Sequence, residues 1–234
     1  MFPISLVTLA LSCLASFALA APTSNEGTVV NLRIEGDTGT IFEGPVFTQG
    51  HDVETASGGT HHCDGTNLNA NPTPGPTATS ALDDAAKLQG FTWDGTYFAD
   101  FDDFFTTSIA GVTQTQTQFW GFFVNFHIPD VGGCQQQVNL LDEVLFAFDP
   151  FGKPALKLSG EHVARVGEPV TLTVTDGQNG DPIAGASVDG QTTDAAGQVS
   201  VTFTSAGVKG LKAEKEGTVR SNRLDIIVAP SESF

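Results

Sequence analysis

The four consecutive residues His61-His62-Cys63-Asp64 carry the side chains of this chain that are best suited to holding a metal ion. Imidazole and thiolate groups are good ligands for zinc. Neighbours along a chain are not spaced to converge on one ion, however, and Cys63 has a competing use in a disulfide with Cys134. The sequence therefore favours a loop packed beside a disulfide and predicts no metal site, with zinc binding as the alternative.

A second group of candidates combines aromatic rings with a carboxylate. Trp93 and Tyr97 flank Asp94-Gly95-Thr96, a segment typical of a turn, so both rings are expected at the surface. Flat rings beside carboxylates hold pyranose rings, and rings placed over cations hold ammonium groups. The candidate ligand-binding residues are therefore Trp93, Asp94 and Tyr97, together with His61 and His62.

The other aromatic side chains of this region are expected to fill the core, because a domain of about 125 residues needs large apolar groups inside. They are Phe98, Phe101, Phe104, Phe105, Trp120, Phe122 and Phe123.

The sequence contains none of the common catalytic motifs: G-x-S-x-G, H-E-x-x-H and the phosphate-binding loop are all missing. Asp100, Asp102 and Asp103 could ligate calcium, but they lack the spacing of a calcium loop and are expected to face solvent. We therefore predict no catalytic residue and no cofactor. The alternative is a secreted hydrolase that uses carboxylates of this acidic region.

The net charge of −17 excludes a basic face for nucleic acid and disfavours anionic membrane surfaces. The charge is uneven along the chain. Residues 22–153 carry 17 acidic and 3 basic side chains, a net of −14, whereas residues 154–234 carry 10 acidic and 7 basic, a net of −3. This difference indicates two domains with different surfaces, although most carboxylates are expected only to keep the protein from associating.

The N-terminal residues are typical of an export signal. An uncharged apolar run from Ile4 to Leu19 ends in Ala18-Leu19-Ala20, a small-residue cleavage pattern, which predicts a signal peptide over 1–20. A short N-terminal anchor is the alternative. No second apolar run of membrane length follows, so we expect no membrane span. Cys63 and Cys134 are an even pair in an oxidising compartment and are predicted to form one disulfide, with two free thiols as the alternative.

The sequence predicts only a few strands and one helix in residues 28–153. Residues 29–35 alternate between Val30, Leu32 and Ile34 on one face and polar side chains on the other, and residues 40–47 complete a hairpin. Residues 51–77 are expected to be a long irregular loop. A helix is predicted over 81–88 with Ser80 as its N-cap and Gly90 at its end. Residues 119–126 are expected to be a strand buried on both faces, and 140–148 the last strand.

Residues 155–229 change character, with short alternating runs separated by turn clusters such as Asp176-Gly177 and Asn179-Gly180-Asp181-Pro182. That pattern is typical of an antiparallel β-sandwich. The predicted fold class is mainly β: a small mixed sheet domain with one packed helix, followed by an Ig-like sandwich. The predicted divisions are a signal peptide at 1–20, a linker at 21–27, domains at 28–153 and 155–229, and a tail at 230–234.

Two resemblances rest on particular motifs. Gly167-Glu168-Pro169, Pro182-Ile183-Ala184-Gly185-Ala186 and Thr193-Asp194-Ala195-Ala196-Gly197 are similar to a bacterial-type immunoglobulin-like module of surface proteins. Such modules serve as spacers, stalks and adhesive units.

The first domain resembles a secreted domain of unknown function that is distantly similar to the cobalamin-contacting C-terminal domain of transcobalamin and intrinsic factor. The residues that carry this include Cys63-Asp64-Gly65-Thr66-Asn67, Trp120-Gly121 and Gly133-Cys134. This resemblance implies a compact mixed sheet with one helix and no catalytic residues. Cobalamin binding does not transfer, because the helical partner domain of transcobalamin is lacking.

The leading functional hypothesis is a secreted extracellular or cell-surface protein that binds an unknown ligand, either a glycan or a surface protein. The ligand surface is expected on the 51–77 loop with Trp93 and Tyr97, and the Ig-like domain is expected to act as a spacer. The alternatives are the hydrolase and a secreted effector or wall component without a small ligand.

Overall fold

The computed structural model describes residues 26–231. The predicted signal peptide, most of the predicted linker and the last three residues of the predicted tail therefore lie outside the described residues. The described chain is mainly β, with one α-helix and one short 3-10 segment, which confirms the predicted fold class. No helix among residues 26–231 is long and apolar enough to cross a membrane.

The N-terminal unit, residues 28–153, contains nine strands and the helix. Its strands and helices are β1 (Thr28–Glu35), β2 (Thr40–Thr48), β3 (His51–Thr55), β4 (Gly59–Cys63), a 3-10 segment (Asn67–Asn69), α1 (Ala78–Gln89), β5 (Trp93–Phe98), β6 (Asp103–Ile109), β7 (Val112–Thr113), β8 (Trp120–Val124) and β9 (Glu143–Phe148).

The main sheet of this unit has the strand order β2-β1-β9-β8 and is mixed, as predicted. β1 pairs antiparallel with β2 but parallel with β9, whereas β8 pairs antiparallel with β9. β8 is an edge strand that covers residues 120–124 of the predicted strand 119–126, and the predicted burial on both faces is confirmed by Trp120 in the cluster on the helix side and Phe123 in the cluster on the other side. Trp120 and Phe123 are buried, but Phe122 and Val124 are only partly covered.

One face of this sheet packs on helix α1. Val30, Leu32 and Ile34 form the predicted apolar stripe of β1 and are fully buried against Leu82 and its neighbours in the helix. Period-2 alternation places these three side chains on the same side of the strand, so a single strand supplies a continuous apolar face. The helix buries its own apolar side against that face.

The helix begins three residues earlier than expected, and its N-cap is Thr77 rather than Ser80. The Thr77 hydroxyl accepts a hydrogen bond from the Ser80 amide at 3.0 Å, and the Ser80 hydroxyl accepts one from the Thr77 amide at 2.8 Å. Ser80 therefore completes a reciprocal capping box instead of capping alone. The predicted end at Gly90 is confirmed: this glycine has a φ of 76°, and its amide bonds Ala86.

The expected long loop over 51–77 was wrong in its first half. Residues 51–63 form the β3–β4 hairpin, in which Asp52 and Glu54 point outwards while Val53 and Thr55 are buried. Likewise, Asp94-Gly95-Thr96 is no turn but lies inside β5, which pairs with β6 through a bulge at Asp94 and Gly95. The chain reverses instead at residues 99–102, between these two strands.

The C-terminal unit, residues 155–229, contains nine strands in three small sheets. They are β10 (Leu156–Gly160), β11 (Val163–Arg165), β12 (Pro169–Asp176), β13 (Ser187–Val188), β14 (Gln191–Thr192), β15 (Gln198–Thr202), β16 (Gly207–Leu211), β17 (Ala213–Glu214) and β18 (Leu224–Ala229).

Two of these sheets, β10-β12-β15 and β11-β18-β16, share one hydrophobic core. Leu158, Leu172 and Val201 from the first sheet join Leu224 and Ile226 from the second in that core. All the strand pairs are antiparallel except β11 with β18, which run parallel and depart from the expected antiparallel pattern.

The second face of the main N-terminal sheet packs on the C-terminal unit. Phe123, Leu145 and Ala147 form a small buried cluster with Ala155 and Val219 of the C-terminal unit. The polar side chains of β1 also lie on this face, so Arg33 and Glu35 are buried although each carries a charge. Burial of charged groups requires partners, and these come largely from the C-terminal unit.

Candidate functional site

The β3–β4 and β5–β6 hairpins meet around the disulfide. Cys63 and Cys134 are bonded, with Cα atoms 4.6 Å apart, across 71 residues of sequence, which confirms the predicted pairing. Val53 and Phe104 complete a buried cluster around the two sulfurs. Cys63 is consequently not available to a metal. Among residues 26–231, no group of three or more His, Cys, Asp or Glu side chains is placed to hold an ion.

Two of the predicted candidates stack on each other. The rings of His61 and Tyr97 are nearly parallel, with centroids 3.4 Å apart, and Tyr97 also meets Phe104 edge-on at 5.4 Å. The Tyr97 hydroxyl donates a hydrogen bond to Asp102 at 2.5 Å. Burial, reinforced by this bond to a carboxylate, raises the pKa of Tyr97 to about 12. The phenol therefore stays protonated and serves as a donor.

Asp102 interacts with donor groups from three segments of the chain. Its carboxylate accepts the amide of Leu68 at 2.7 Å in addition to the Tyr97 hydroxyl, and the His62 ring lies 3.6 Å from its second oxygen. Burial acts to raise the pKa of Asp102, but the hydrogen bonds outweigh it and hold that pKa below its ordinary value. The structure thus brings His62 and Tyr97 together at one ionised carboxylate, and His61 lies beside them, stacked on Tyr97.

Trp93 and Asp94 belong to the opposite end of β5. The indole N–H of Trp93 donates to Asp83 of helix α1 at 3.0 Å, and its ring is half-buried. Asp94 accepts the amide of Ser57 at 2.9 Å and its hydroxyl at 2.5 Å, which fastens the β3–β4 turn to β5. Trp93 also meets Phe104 edge-on at 6.1 Å, beside the same cluster as Tyr97, and a binding role for any of the five candidates stays a prediction.

Asp83 lies at the centre of a cluster of polar side chains that the sequence did not predict. Its carboxylate lies 2.9 Å from the His51 ring and 2.6 Å from Lys87, and it also accepts the Trp93 indole N–H. The hydrogen bond to Asp83 raises the pKa of His51, and the Gln49 carbonyl at 2.8 Å supports the other ring nitrogen. Both nitrogens face acceptors, so the imidazolium form is the one that the structure stabilises.

The other face of the β5–β6 hairpin exposes three phenylalanines. Phe98, Phe101 and Phe105 are 47%, 65% and 40% exposed, and Phe119 meets Phe105 edge-on at 6.1 Å. We call these four side chains the phenylalanine patch. Beside them lies a shallow depression of about 380 Å³ that is lined by Phe98, Phe101, Asp103, Phe104, Phe105 and Gly132.

Asp103 forms the polar floor of that depression. Its carboxylate accepts the amides of Phe104 at 2.7 Å and Cys134 at 3.0 Å, yet its side chain is buried. Burial raises the pKa of Asp103 to about 6, because the amide hydrogen bonds only partly offset the loss of water. A Cβ atom at Gly132 would stand 2.0 Å from the Asp103 oxygen, so only glycine lets this loop lie on the carboxylate.

The expectation that the phenylalanines of this region fill the core was wrong for three of them. The register of the hairpin pairs Tyr97 with Phe104 and Phe98 with Asp103. Tyr97 and Phe104 therefore face the disulfide, whereas Phe98 and Phe105 face outwards. The alternation of inward-facing and outward-facing side chains is not evident in the run Asp-Asp-Phe-Phe. It could have been predicted if the turn at residues 99–102 had been recognised.

No family model matches the chain, and no curated protein is similar to it. The two resemblances drawn from the sequence motifs therefore stay predictions. What the site can do has to be argued from its own geometry.

Proposed function

We propose that this is an extracellular protein that binds a partner protein through the phenylalanine patch. The observation that carries the proposal is the exposure of Phe98, Phe101 and Phe105 side by side on one face of a hairpin. Contiguous exposed apolar groups rimmed by polar residues are characteristic of interaction sites, because leaving them in water is unfavourable. Aromatic side chains also dominate the energetics of protein interfaces.

The charges around the patch favour a cationic partner. Asp100 is exposed in the turn beside Phe101, and the exposed Asp130 lies two residues from Gly132 on the rim. The whole of residues 22–153 carries a net charge of −14. Aromatic faces attract ammonium and guanidinium groups, and a negative field speeds the encounter with a positive partner. The expected partner presents a large apolar side chain flanked by Lys or Arg.

A glycan fits this patch less well than a protein does. Asp103 is the one carboxylate that lines the depression, and it is already bonded to two backbone amides. A sugar ring needs several free polar partners besides an aromatic face. An apolar side chain of a partner protein needs no polar partners, so it fits the patch better than a sugar ring does.

An extracellular location is supported by the disulfide and by the predicted signal peptide. Disulfides persist in oxidising compartments and are rare in the cytosol. In this proposal the N-terminal unit presents the patch, and the C-terminal unit, with its resemblance to immunoglobulin-like modules, holds it away from the surface to which the protein is attached.

Selection from a library of random peptides on the folded protein tests the proposal. We expect enrichment of peptides with a large apolar residue next to Lys or Arg. Phe101→Ser should weaken their binding by about tenfold or more, because it removes the most exposed ring of the patch. Phe47→Ser is the matched control, since Phe47 is similarly exposed, at 61%, on strand β2 at the edge of the main sheet opposite β8.

Two results would overturn the proposal. One is a selection that enriches nothing from the library while the protein remains folded. The other is a set of binders whose affinity falls equally in the Phe101→Ser and Phe47→Ser variants, which would place their site elsewhere.

A further inference from the structure

A polar groove of about 460 Å³ lies where the main N-terminal sheet meets the C-terminal unit. Its walls come from strands β1, β2 and β9 and from the segment that leads into β18. The residues that matter for its chemistry are Asn31, Arg33, Glu43, Glu143 and Asn222. Its size lies in the range of cavities that take small molecules.

Arg33 is the unusual feature of this groove. Its side chain is 5% exposed, and its guanidinium lies over the Phe126 ring at 5.7 Å. Among residues 26–231 its one hydrogen bond is donated to the Arg220 carbonyl at 2.6 Å. A guanidinium has five N–H donors, and buried donors are normally all paired. The remaining donors of Arg33 are therefore available to a molecule in the groove.

Unused acceptors stand close to these donors. The parallel register sets Glu143 of β9 beside Asn31 of β1, two residues before Arg33 on the same face. Within the described part of the chain, neither the Glu143 carboxylate nor the Asn31 amide makes a side-chain hydrogen bond. Glu43 is different, because Lys212 and the Arg223 amide occupy its oxygens. Both oxygen and nitrogen of the Asn222 amide are also occupied, by Leu158.

The charges that line the groove indicate which class of ligand fits it. They are three carboxylates, Glu43, Glu143 and Asp225, and two guanidiniums, Arg33 and Arg223, so the lining offers a further anion no net attraction. A purely apolar ligand would leave Arg33 and Glu143 unpaired. Each hydroxyl of a neutral sugar both donates and accepts, which matches a guanidinium beside a free carboxylate. We infer that the groove binds a neutral carbohydrate, as a site separate from the phenylalanine patch.

Amide-detected NMR titration of the full chain with cellobiose, maltose, laminaribiose and chitobiose tests the inference. At least one of these sugars should shift amides of residues 31–33, 143–145 and 222–225, with a dissociation constant below about 10 mM. The amides of the patch, residues 98–105, should stay in place. Glucuronic acid, a charged probe, should bind at least about tenfold more weakly than glucose, its neutral counterpart of equal size.

Variants at the rim of the groove separate binding from folding. Glu143→Gln and Asn31→Ala should each weaken sugar binding by about fivefold or more, because the first replaces a charged acceptor with a neutral amide and the second removes the amide. Glu216→Gln, an exposed carboxylate of the C-terminal unit, should leave binding unchanged. The inference fails if no sugar shifts the groove amides, if the shifts fall on the patch, if glucuronic acid binds best, or if the two rim variants bind like the wild type.

Discussion

The carboxylate of Asp83 joins helix α1 to two hairpins through His51 and Trp93, and it also pairs with Lys87 one turn later in the helix. Since its hydrogen bond to Asp83 raises the pKa of His51, His51 stabilises the fold fully below its unfolded pKa of about 6.5. This stabilisation is lost as the pH rises through the higher folded pKa. We expect His51→Gln to lower the free energy of unfolding by about 1–2 kcal/mol at pH 5.5, and by less at pH 8.5.

Urea unfolding of both proteins across that pH range measures the difference. His127→Gln serves as the control, because His127 is exposed and lies outside the Asp83 group. A His51→Gln deficit that grows with rising pH would contradict the assigned charge state.

Asp103 gives a pH dependence through a carboxyl group. Burial raises the pKa of Asp103 to about 6, so the folded state holds this proton more tightly than the unfolded chain does. Its contribution to stability is therefore full below about pH 4 and is lost as the pH rises through 6. Relative to Asp103→Asn, the wild type should lose about 2 kcal/mol of unfolding free energy between pH 4 and pH 8.

Asp100→Asn is the comparison for this prediction, because Asp100 is exposed in the adjacent turn. Equilibrium unfolding in urea at closely spaced pH values should give a wild-type curve that diverges from that of Asp103→Asn between about pH 4 and pH 6. If the wild-type and Asp103→Asn curves stay parallel through this range, the prediction is wrong, because ionising Asp103 would then cost the folded protein no unfolding free energy.

The contacts between side chains were the feature that the sequence predicted least well. The disulfide was predictable, because Cys63 and Cys134 are the two cysteines left after the predicted signal peptide is removed. The stack of His61 on Tyr97 was not, since it depends on how two hairpins cross. The outward direction of Phe98 and Phe105 follows from one residue of register, which composition alone does not determine.

At the level of elements, the end of helix α1 depends on the backbone freedom of Gly90. This residue has a φ of 76°, and an added Cβ would meet nothing within 4 Å. Gly90→Ala should therefore lower the free energy of unfolding by about 1 kcal/mol through backbone strain alone. Thermal or urea unfolding of the purified variant gives the value.

Gly39→Ala is the matched substitution, because Gly39 also has open space around its Cβ position but has no positive φ. It should change stability by less than about 0.5 kcal/mol. Equal losses in the two variants would show that the positive φ of Gly90 is not the source of the cost.

The strands with clear period-2 alternation, β1 and those near residues 170–174, 199–203 and 224–228, were predicted close to their observed positions. The β3–β4 hairpin was missed because Gly, Thr and His dominate it and Val53 is its one large aliphatic side chain. Helix α1 was placed too late because Thr77 and Ser80 are both good caps, and the reciprocal pair that they form is visible only in three dimensions.

At the scale of the whole molecule, one buried carboxylate connects the two units. Glu35 is 2% exposed and pairs with Lys212 and with Arg220, the latter at 2.8 Å. Lys212 also reaches Glu43 at 2.8 Å. Removing the charge at Glu35 leaves two cations facing each other, so Glu35→Gln should lower the free energy of unfolding by about 3 kcal/mol.

Scanning calorimetry should also show whether the units unfold together. The wild type is expected to give one transition, and Glu35→Gln a broadened or split one, because the contact that couples the units is weakened. Asp225→Asn is the control, since it breaks an exposed pair with Arg223 and should cost less than about 1 kcal/mol. A single unshifted transition in Glu35→Gln would show that the apolar cluster alone joins the units.

The parallel pairing of β1 with β9 decides how this protein responds to a pulling force. The chain enters the ladder at Thr28 and leaves it beyond Phe148, at the opposite end. A load applied between Thr28 and the C-terminal unit therefore shears all the β1–β9 hydrogen bonds at once instead of opening them one after another. Resistance to such a load is governed by the rate of unfolding, so the N-terminal strand acts as a mechanical anchor.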